Sequence, residues 1–150
     1  MGLFTIKRCL TNARHLAVLL TLAAAAPATA QDFRVLDNIT DDAGNRYAVW
    51  AMAVSDNHKY VTGQAMSMTT GITGIFVYDL ETGEYAVKEG VSEMGSDTRG
   101  VSDDGLAVGF NPNAVTLAID GTMTDLETPA GCESGARDVS TDGSVIVGAY

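Results

Sequence analysis

Val139-Ser140-Thr141-Asp142-Gly143-Ser144-Val145-Ile146-Val147-Gly148 carries, in ten residues, the pattern on which the rest of the chain turns. A Val-Ser pair closes one segment, Asp-Gly marks a bend, and a β-branched run ends on glycine. The same order stands twice upstream. Val54-Ser55-Asp56-Asn57-His58-Lys59-Tyr60-Val61-Thr62-Gly63 aligns with it without a gap, and Val101-Ser102-Asp103-Asp104-Gly105-Leu106-Ala107-Val108-Gly109 is one residue shorter. The three copies begin 47 and 38 residues apart. Self-similarity at such a period marks a repeat architecture, in which each unit buries its apolar face against a neighbour.

Each copy reads as β structure. Asp104-Gly105 and Asp142-Gly143 are two-residue turns that call for positive φ, the strongest short-range hairpin signal. Asn57-His58 takes that place in the first copy, both residues tolerating positive φ better than most side chains do. A second hairpin completes each unit. Ile75 to Asp79 runs through Glu81-Thr82-Gly83 into Glu84 to Val87, and Thr116 to Ile119 runs through Asp120-Gly121 into Thr122-Met123-Thr124. Tyr47 to Val54, with Val49, Val54, Tyr47 and Trp50, suits a strand rather than a helix. About four strands per unit, joined by short hairpins, is the make-up of a propeller blade, whose period is roughly 40–50 residues. The expected fold class is therefore all-β, a partial β-propeller-like array of four-stranded antiparallel units.

From Gly121 to Gly148 the chain resembles the HAF repeat family of bacterial extracellular proteins. The likeness rests on Gly121, Met123, Asp125-Leu126, Thr128-Pro129, Gly131, Ser134, Ala136, Val139-Ser140, Asp142-Gly143 and Val145 to Gly148. The triplet that names the family stands here as Gly74-Ile75-Phe76, followed by Tyr78, and Leu117 and Ile119 stand there in the next unit. The resemblance covers roughly residues 51–150. It implies export and a propeller-like fold, sometimes joined to an outer-membrane autotransporter domain, and it implies no catalytic residues.

Residues 1–30 read as a cleaved secretory signal. Lys7, Arg8 and Arg14 make a basic start, Leu16 to Ala26 is apolar apart from Thr21, and Ala28-Thr29-Ala30 supplies small residues before Gln31. The apolar run is too short for a membrane span, which needs about 20 residues. Cys9 precedes that run, where no lipid-modified cysteine could sit. The expected location is periplasmic, cell-surface or secreted, with residues 31–150 as the mature β-repeat region and no transmembrane helix in it. The whole chain has 9 Lys+Arg against 19 Asp+Glu. All three leader charges are basic, so the mature part keeps 6 against 19, a net of −13. A surface that acidic repels phosphate backbones, which excludes nucleic acid as a partner.

No residue stands out as catalytic, cofactor-binding or metal-ligating. Asp103-Asp104-Gly105 and Asp142-Gly143 offer carboxylates, but without the alternating spacing that surrounds one calcium ion. Ser55, Ser102 and Ser140 recur just before the turn, as serines that close turns with hydrogen bonds do, whereas a catalytic serine would need a base beside it. Cys132 reads as an incidental thiol in a loop, with His58 in a turn of another unit. Arg99 and Arg137 occupy equivalent positions. They are expected to pair with acids of neighbouring units, or else to line one shared ligand surface. Trp50, Phe76 and Tyr78 are expected in the core, and Asn38-Ile39-Thr40 fits a glycosylation sequon.

A closed propeller takes about four to eight blades. Residues 31–150 hold two nearly complete units, the start of a third, and at Asp32 to Asp37 a fragment like the end of an earlier one. The expectation is the N-terminal part of a longer protein. The functional expectation is a non-enzymatic module for binding, adhesion or scaffolding at or outside the cell envelope. Loops such as Gln64 to Gly74 and Gly109 to Asn113 would face an unknown extracellular ligand or envelope component. The alternative is the N-terminal part of a secreted propeller hydrolase or lyase whose catalytic residues lie beyond residue 150.

Overall fold

The computed structural model describes residues 34–36, 39–90 and 96–150. The leader and Asn38 of the sequon lie outside them, as does half of the Asp32 to Asp37 fragment. Within residues 36–150 the described chain forms ten strands and no helix. Sheet I is an antiparallel meander of β1 (Tyr47–Val54), β2 (Tyr60–Ser67), β3 (Thr73–Asp79) and β4 (Tyr85–Glu89). Sheet II repeats it with β5 (Asp97–Val101), β6 (Ala107–Phe110), β7 (Ala114–Leu117) and β8 (Met123–Asp125). Sheet III comprises β9 (Gly135–Val139) and β10 (Ile146–Ala149). The fold is the expected all-β array of four-stranded units. Each copy of the repeat spans the end of a unit's first strand, the turn, and the first part of the second strand.

The turns are built alike, but differ in one respect from the two-residue bends the sequence suggested. In each, the amide of the fourth residue donates to the serine carbonyl: His58 to Ser55 at 2.9 Å, Gly105 to Ser102 at 3.1 Å, Gly143 to Ser140 at 2.8 Å. Only that fourth residue has positive φ: 61° at His58, 86° at Gly105 and 72° at Gly143. Asn57, Asp104 and Asp142 keep negative φ and act through their side chains instead. Their Oδ1 atoms accept the hydroxyl protons of Ser55 (2.7 Å), Ser102 and Ser140 (2.6 Å). Each serine oxygen in turn accepts the amide of Tyr60 (2.9 Å), Leu106 (3.0 Å) or Val145 (3.0 Å). The serines thus do what their recurrence suggested and satisfy strand-end amides locally.

The repeated glycine lies inside each second strand rather than ending it, and it faces an irregularity in the first. The register skips one residue at Met52 in β1, at Arg99 in β5 and at Arg137 in β9, leaving each as the extra residue of a β-bulge. All three stand two places before the repeated valine. At each of the three glycines a carbonyl of the partner strand lies where a side chain would begin. A Cβ on Gly63 would lie 1.9 Å from the oxygen of Trp50, on Gly109 2.0 Å from that of Asp97, and on Gly148 2.4 Å from that of Gly135. Glycine is therefore demanded by close backbone approach.

The sheets pack face on face. Tyr60, Ile75, Val77 and Ala86 of sheet I meet Val101, Ala107, Val115 and Leu117 of sheet II. On the other face of sheet II, Val108 and Ala114 meet Ala136, Val139 and Ile146 of sheet III. Sheet II is covered on both faces, so β6 and β7 are apolar on both sides of the pleat. The far face of sheet I is closed by Leu36 and Ile39 over Tyr47, Val61, Ala65 and Phe76. A polar tie crosses the first interface, where Thr98 Oγ1 meets Thr62 Oγ1 and lies 2.9 Å from the Gly63 carbonyl oxygen, which accepts its proton.

Several expectations need correcting. Trp50 is 49% exposed on β1, an edge strand that pairs with β2 alone; Phe76 is fully buried as expected, and Tyr78 packs at the core margin, its ring stacked on Tyr85. The stretch Gln64 to Gly74 is mostly strand, since β2 runs to Ser67 and β3 starts at Thr73. Gly109 and Phe110 likewise belong to β6. Ala118 and Ile119 leave the ladder, because Ala118 closes the Asp120-Gly121 turn by bonding Thr122 and Gly121.

Candidate functional site

The bulges decide where the repeated charged side chains go. An extra residue has no cross-strand partner, so its side chain is re-aimed out of the ladder. At two of the three bulges that side chain is an arginine. Arg99 and Arg137 come to line one open cleft of about 410 Å³, together with Asp97, Phe110, Glu133 and Tyr150. Arg99 does not reach an acid of a neighbouring unit. It clasps Asp97 of its own strand, with Nε at 3.1 Å and Nη2 at 2.7 Å from Oδ2. That hydrogen-bonded pairing, and then the charge of Asp97, raise the guanidinium pKa further above its ordinary value. Among the described residues Arg137 makes no ion pair, and it is exposed. Of the two expectations for these residues, the structure supports the shared surface.

A second, larger hollow of about 720 Å³ lies between residues 40–43, β4 and the turn at Ile119-Asp120-Gly121. Its carboxylates are largely engaged. The Tyr47 hydroxyl lies 3.2 Å from both Asp41 Oδ2 and Glu89 Oε1. Burial, and then the two acceptors, push the Tyr47 phenol well above its ordinary pKa. The Asn45 side chain and backbone amide hold Asp41 below the usual carboxylate value. The Tyr85 hydroxyl is 3.0 Å from Thr40 Oγ1.

The three repeated turns form a third constellation. Asn57 donates its amide to Asp103 Oδ1 (2.8 Å) and its side-chain amide to the Asp103 carbonyl (2.9 Å). Asp103 donates its own amide to the Thr141 carbonyl (2.8 Å), and Thr141 Oγ1 reaches back to Asp56 Oδ2 (2.6 Å), 85 residues away. Asp56, Asp103 and Thr141 are equivalent positions of the repeat, so the units are tied together at one apex. The acidic turns therefore spend their carboxylates on serines and on one another. Asp142 is held at about 2 by Ser140 first, then Ser144. Among the described residues, no three His, Cys, Asp or Glu side chains gather in the manner of a metal site. Cys132 is exposed in the loop between β8 and β9, and His58 belongs to the β1–β2 turn.

Two features escaped the sequence reading. The equivalence of Met52 with Arg99 and Arg137 was hidden by the change of residue type. The apex contacts require knowing that the three turns face the same way. No protein-family model, curated protein or solved structure matches the chain.

Proposed function

We propose that this chain is an exported, HAF-like β-repeat module whose role is non-catalytic binding at or outside the cell envelope, and that its ligand sits on the cleft between sheets II and III. The observation that carries this reading is the convergence of Arg99 and Arg137, each displayed by a bulge on a rigid sheet, beside the rings of Phe110 and Tyr150. Arg137 keeps its donors open to a ligand, while Arg99 is held in place by Asp97. A planar guanidinium fork beside an aromatic face and the carboxylate of Glu133 suits a polar, hydroxyl-rich ligand such as an envelope glycan.

Expressed from Met1 in a bacterial host, the chain is expected outside the cytoplasm with Gln31 as its first residue. N-terminal sequencing that finds Met1 on the exported protein, or retention in the cytoplasm, contradicts the export half. The exported chain is then tested against purified envelope glycans by sedimentation. Binding that falls at least tenfold in Arg137→Ala and persists in Trp50→Ala supports the site. Binding unchanged by Arg137→Ala, or no binding at all, contradicts it.

A further inference from the structure

The outer strand of sheet I lies recessed rather than bare. Between β3 and β4 the Asp79 amide donates to the Glu84 carbonyl and the Gly90 amide to the Thr73 carbonyl, both at 2.8 Å. Hydrogen-bonded pairs alternate along an antiparallel ladder. With Val77 opposite Ala86 and Ile75 opposite Lys88, Ala86 and Lys88 therefore aim their backbone groups at β3. Tyr85, Val87 and Glu89 aim theirs outward, and among the described residues β4 pairs with β3 alone. Asn111 Nδ2 reaches the Glu89 carbonyl at 3.5 Å, so the open stretch of the edge is the amide and carbonyl of Tyr85 and of Val87.

All five residues of β4 line the hollow of about 720 Å³. The edge is its floor, and a turn walls it on either face. On the face of Tyr85 and Val87 stand residues 40–43, tied down where the Tyr85 hydroxyl meets Thr40 Oγ1 at 3.0 Å. On the face of Ala86 and Lys88 stands Ile119-Asp120-Gly121, with Lys88 Nζ 3.9 Å from where a Cβ on Gly121 would lie. Paired strands lie about 4.8 Å apart, so a trough walled on both faces admits one strand and turns away a whole sheet. The walls also say which strand fits. Asp41, Asp42 and Glu89 line the first face with no base among them, whereas Asp120 and Lys88 balance on the second. Residues 31–150 carry a net charge of −13, so a second copy of the chain would bring like charge to the acidic wall.

We propose that the β4 edge takes an extended, basic segment of a partner protein, added as a fifth strand of sheet I. Lysine or arginine at alternate positions of that segment faces Asp41 and Asp42, and uncharged residues face Lys88 and Asp120. This is strand addition, in which main-chain hydrogen bonds to Tyr85 and Val87 provide affinity and alternate side chains provide selectivity. The site is separate from the arginine cleft and stands whether or not a glycan binds there.

The probe is a fluorescein-labelled heptapeptide of alternating lysine and valine, titrated with the full exported chain at physiological salt and followed by anisotropy. Saturable binding is expected, with at least a tenfold loss for a fully N-methylated copy, which keeps the charges and removes the ladder. A copy with glutamate in place of lysine should lose as much. Asp42→Lys, at an exposed turn residue, should weaken binding at least tenfold, with unchanged circular dichroism showing that the variant folds. Glu127→Lys, an equal change of charge at an exposed residue outside the hollow, should alter it less than twofold. Absence of binding overturns the proposal, as does binding indifferent to N-methylation. Equal losses in the two lysine variants would assign the binding to diffuse charge and overturn it too. Dimers in sedimentation velocity that Asp42→Lys abolishes, without peptide binding, would give the edge to a second copy of the chain and overturn it equally.

Discussion

Replacing Gly109 by alanine is the sharpest way to ask whether the bulge and the glycine are one device. The added Cβ would lie 2.0 Å from the Asp97 oxygen, 2.6 Å from Thr98 Cα and 2.9 Å from the Asp97 carbonyl carbon. All three are backbone atoms, so no side-chain rotation relieves the overlap. An ordinary carbon–oxygen contact is about 3.3 Å, so β5 and β6 would have to part by more than an ångström, close to the core shared with sheet III. Overpacking of this kind typically costs about 1–3 kcal/mol, and the purely backbone obstruction places it near 3 kcal/mol. With a urea dependence of about 2 kcal/mol per molar, the unfolding midpoint should fall by roughly 1.5 M. The control is Gly135→Ala, in the neighbouring sheet, where the nearest atoms to a new Cβ are carbons of Phe110 at 3.9 Å and φ is not positive. That variant should stay within about 0.5 kcal/mol of the parent. Equal midpoints for the two variants, or a Gly109→Ala midpoint within error of the parent, would refute the reasoning.

Other outcomes follow from the turns and the core. His58→Gly should stabilise the chain by about 0.5 kcal/mol, since a left-handed side-chain residue costs roughly 1–2 kcal/mol and glycine returns part of that as chain entropy; a lower melting temperature contradicts this. Ser102→Ala should cost about 1–3 kcal/mol in urea unfolding, because the Leu106 amide and the Asp104 carboxylate both lose the hydroxyl that serves them. Phe76→Ala should cost about 3–5 kcal/mol and Trp50→Ala less than about 1 kcal/mol, the two aromatics differing in burial and not in strand propensity. Asp142 has its folded pKa depressed to about 2 from 3.8. Its hydrogen bonds therefore stabilise the fold fully above about pH 4, and that contribution is lost as pH falls toward 2. In Asp142→Asn, acid unfolding between pH 4 and 2 should be less steep than in the parent, and an unchanged slope would contradict the assignment.

Where strands run and where they turn was legible because those features are local. Ser-x-Asp-Gly and the β-branched runs carry their conformational demands within a few residues, and β1 falls on Tyr47–Val54 as its aromatic and β-branched content suggested. The turn type was misjudged because an aspartate before glycine signals positive φ at both residues, whereas here Asp104 and Asp142 serve as side-chain acceptors for serine. Burial was harder to read. Phe76 and Trp50 look alike in sequence, and only the position of β1 at a sheet edge separates them. Of the candidate site, the equivalence of Arg99 and Arg137 was visible in the spacing. Their convergence on one cleft was not, because a bulge changes which way a side chain points without leaving a mark in composition.

The stacking of three equivalent units is tested most directly at the apex, where Thr141 Oγ1 meets Asp56 Oδ2. The exported chain carrying Asp56→Cys, Thr141→Cys and Cys132→Ser should form an intramolecular disulfide under mild oxidation, seen as a two-dalton mass loss and faster migration on a non-reducing gel. The bond should form in native buffer and fail to form in concentrated urea. A chain that stays reduced in native buffer while retaining its β-sheet circular dichroism would contradict the arrangement.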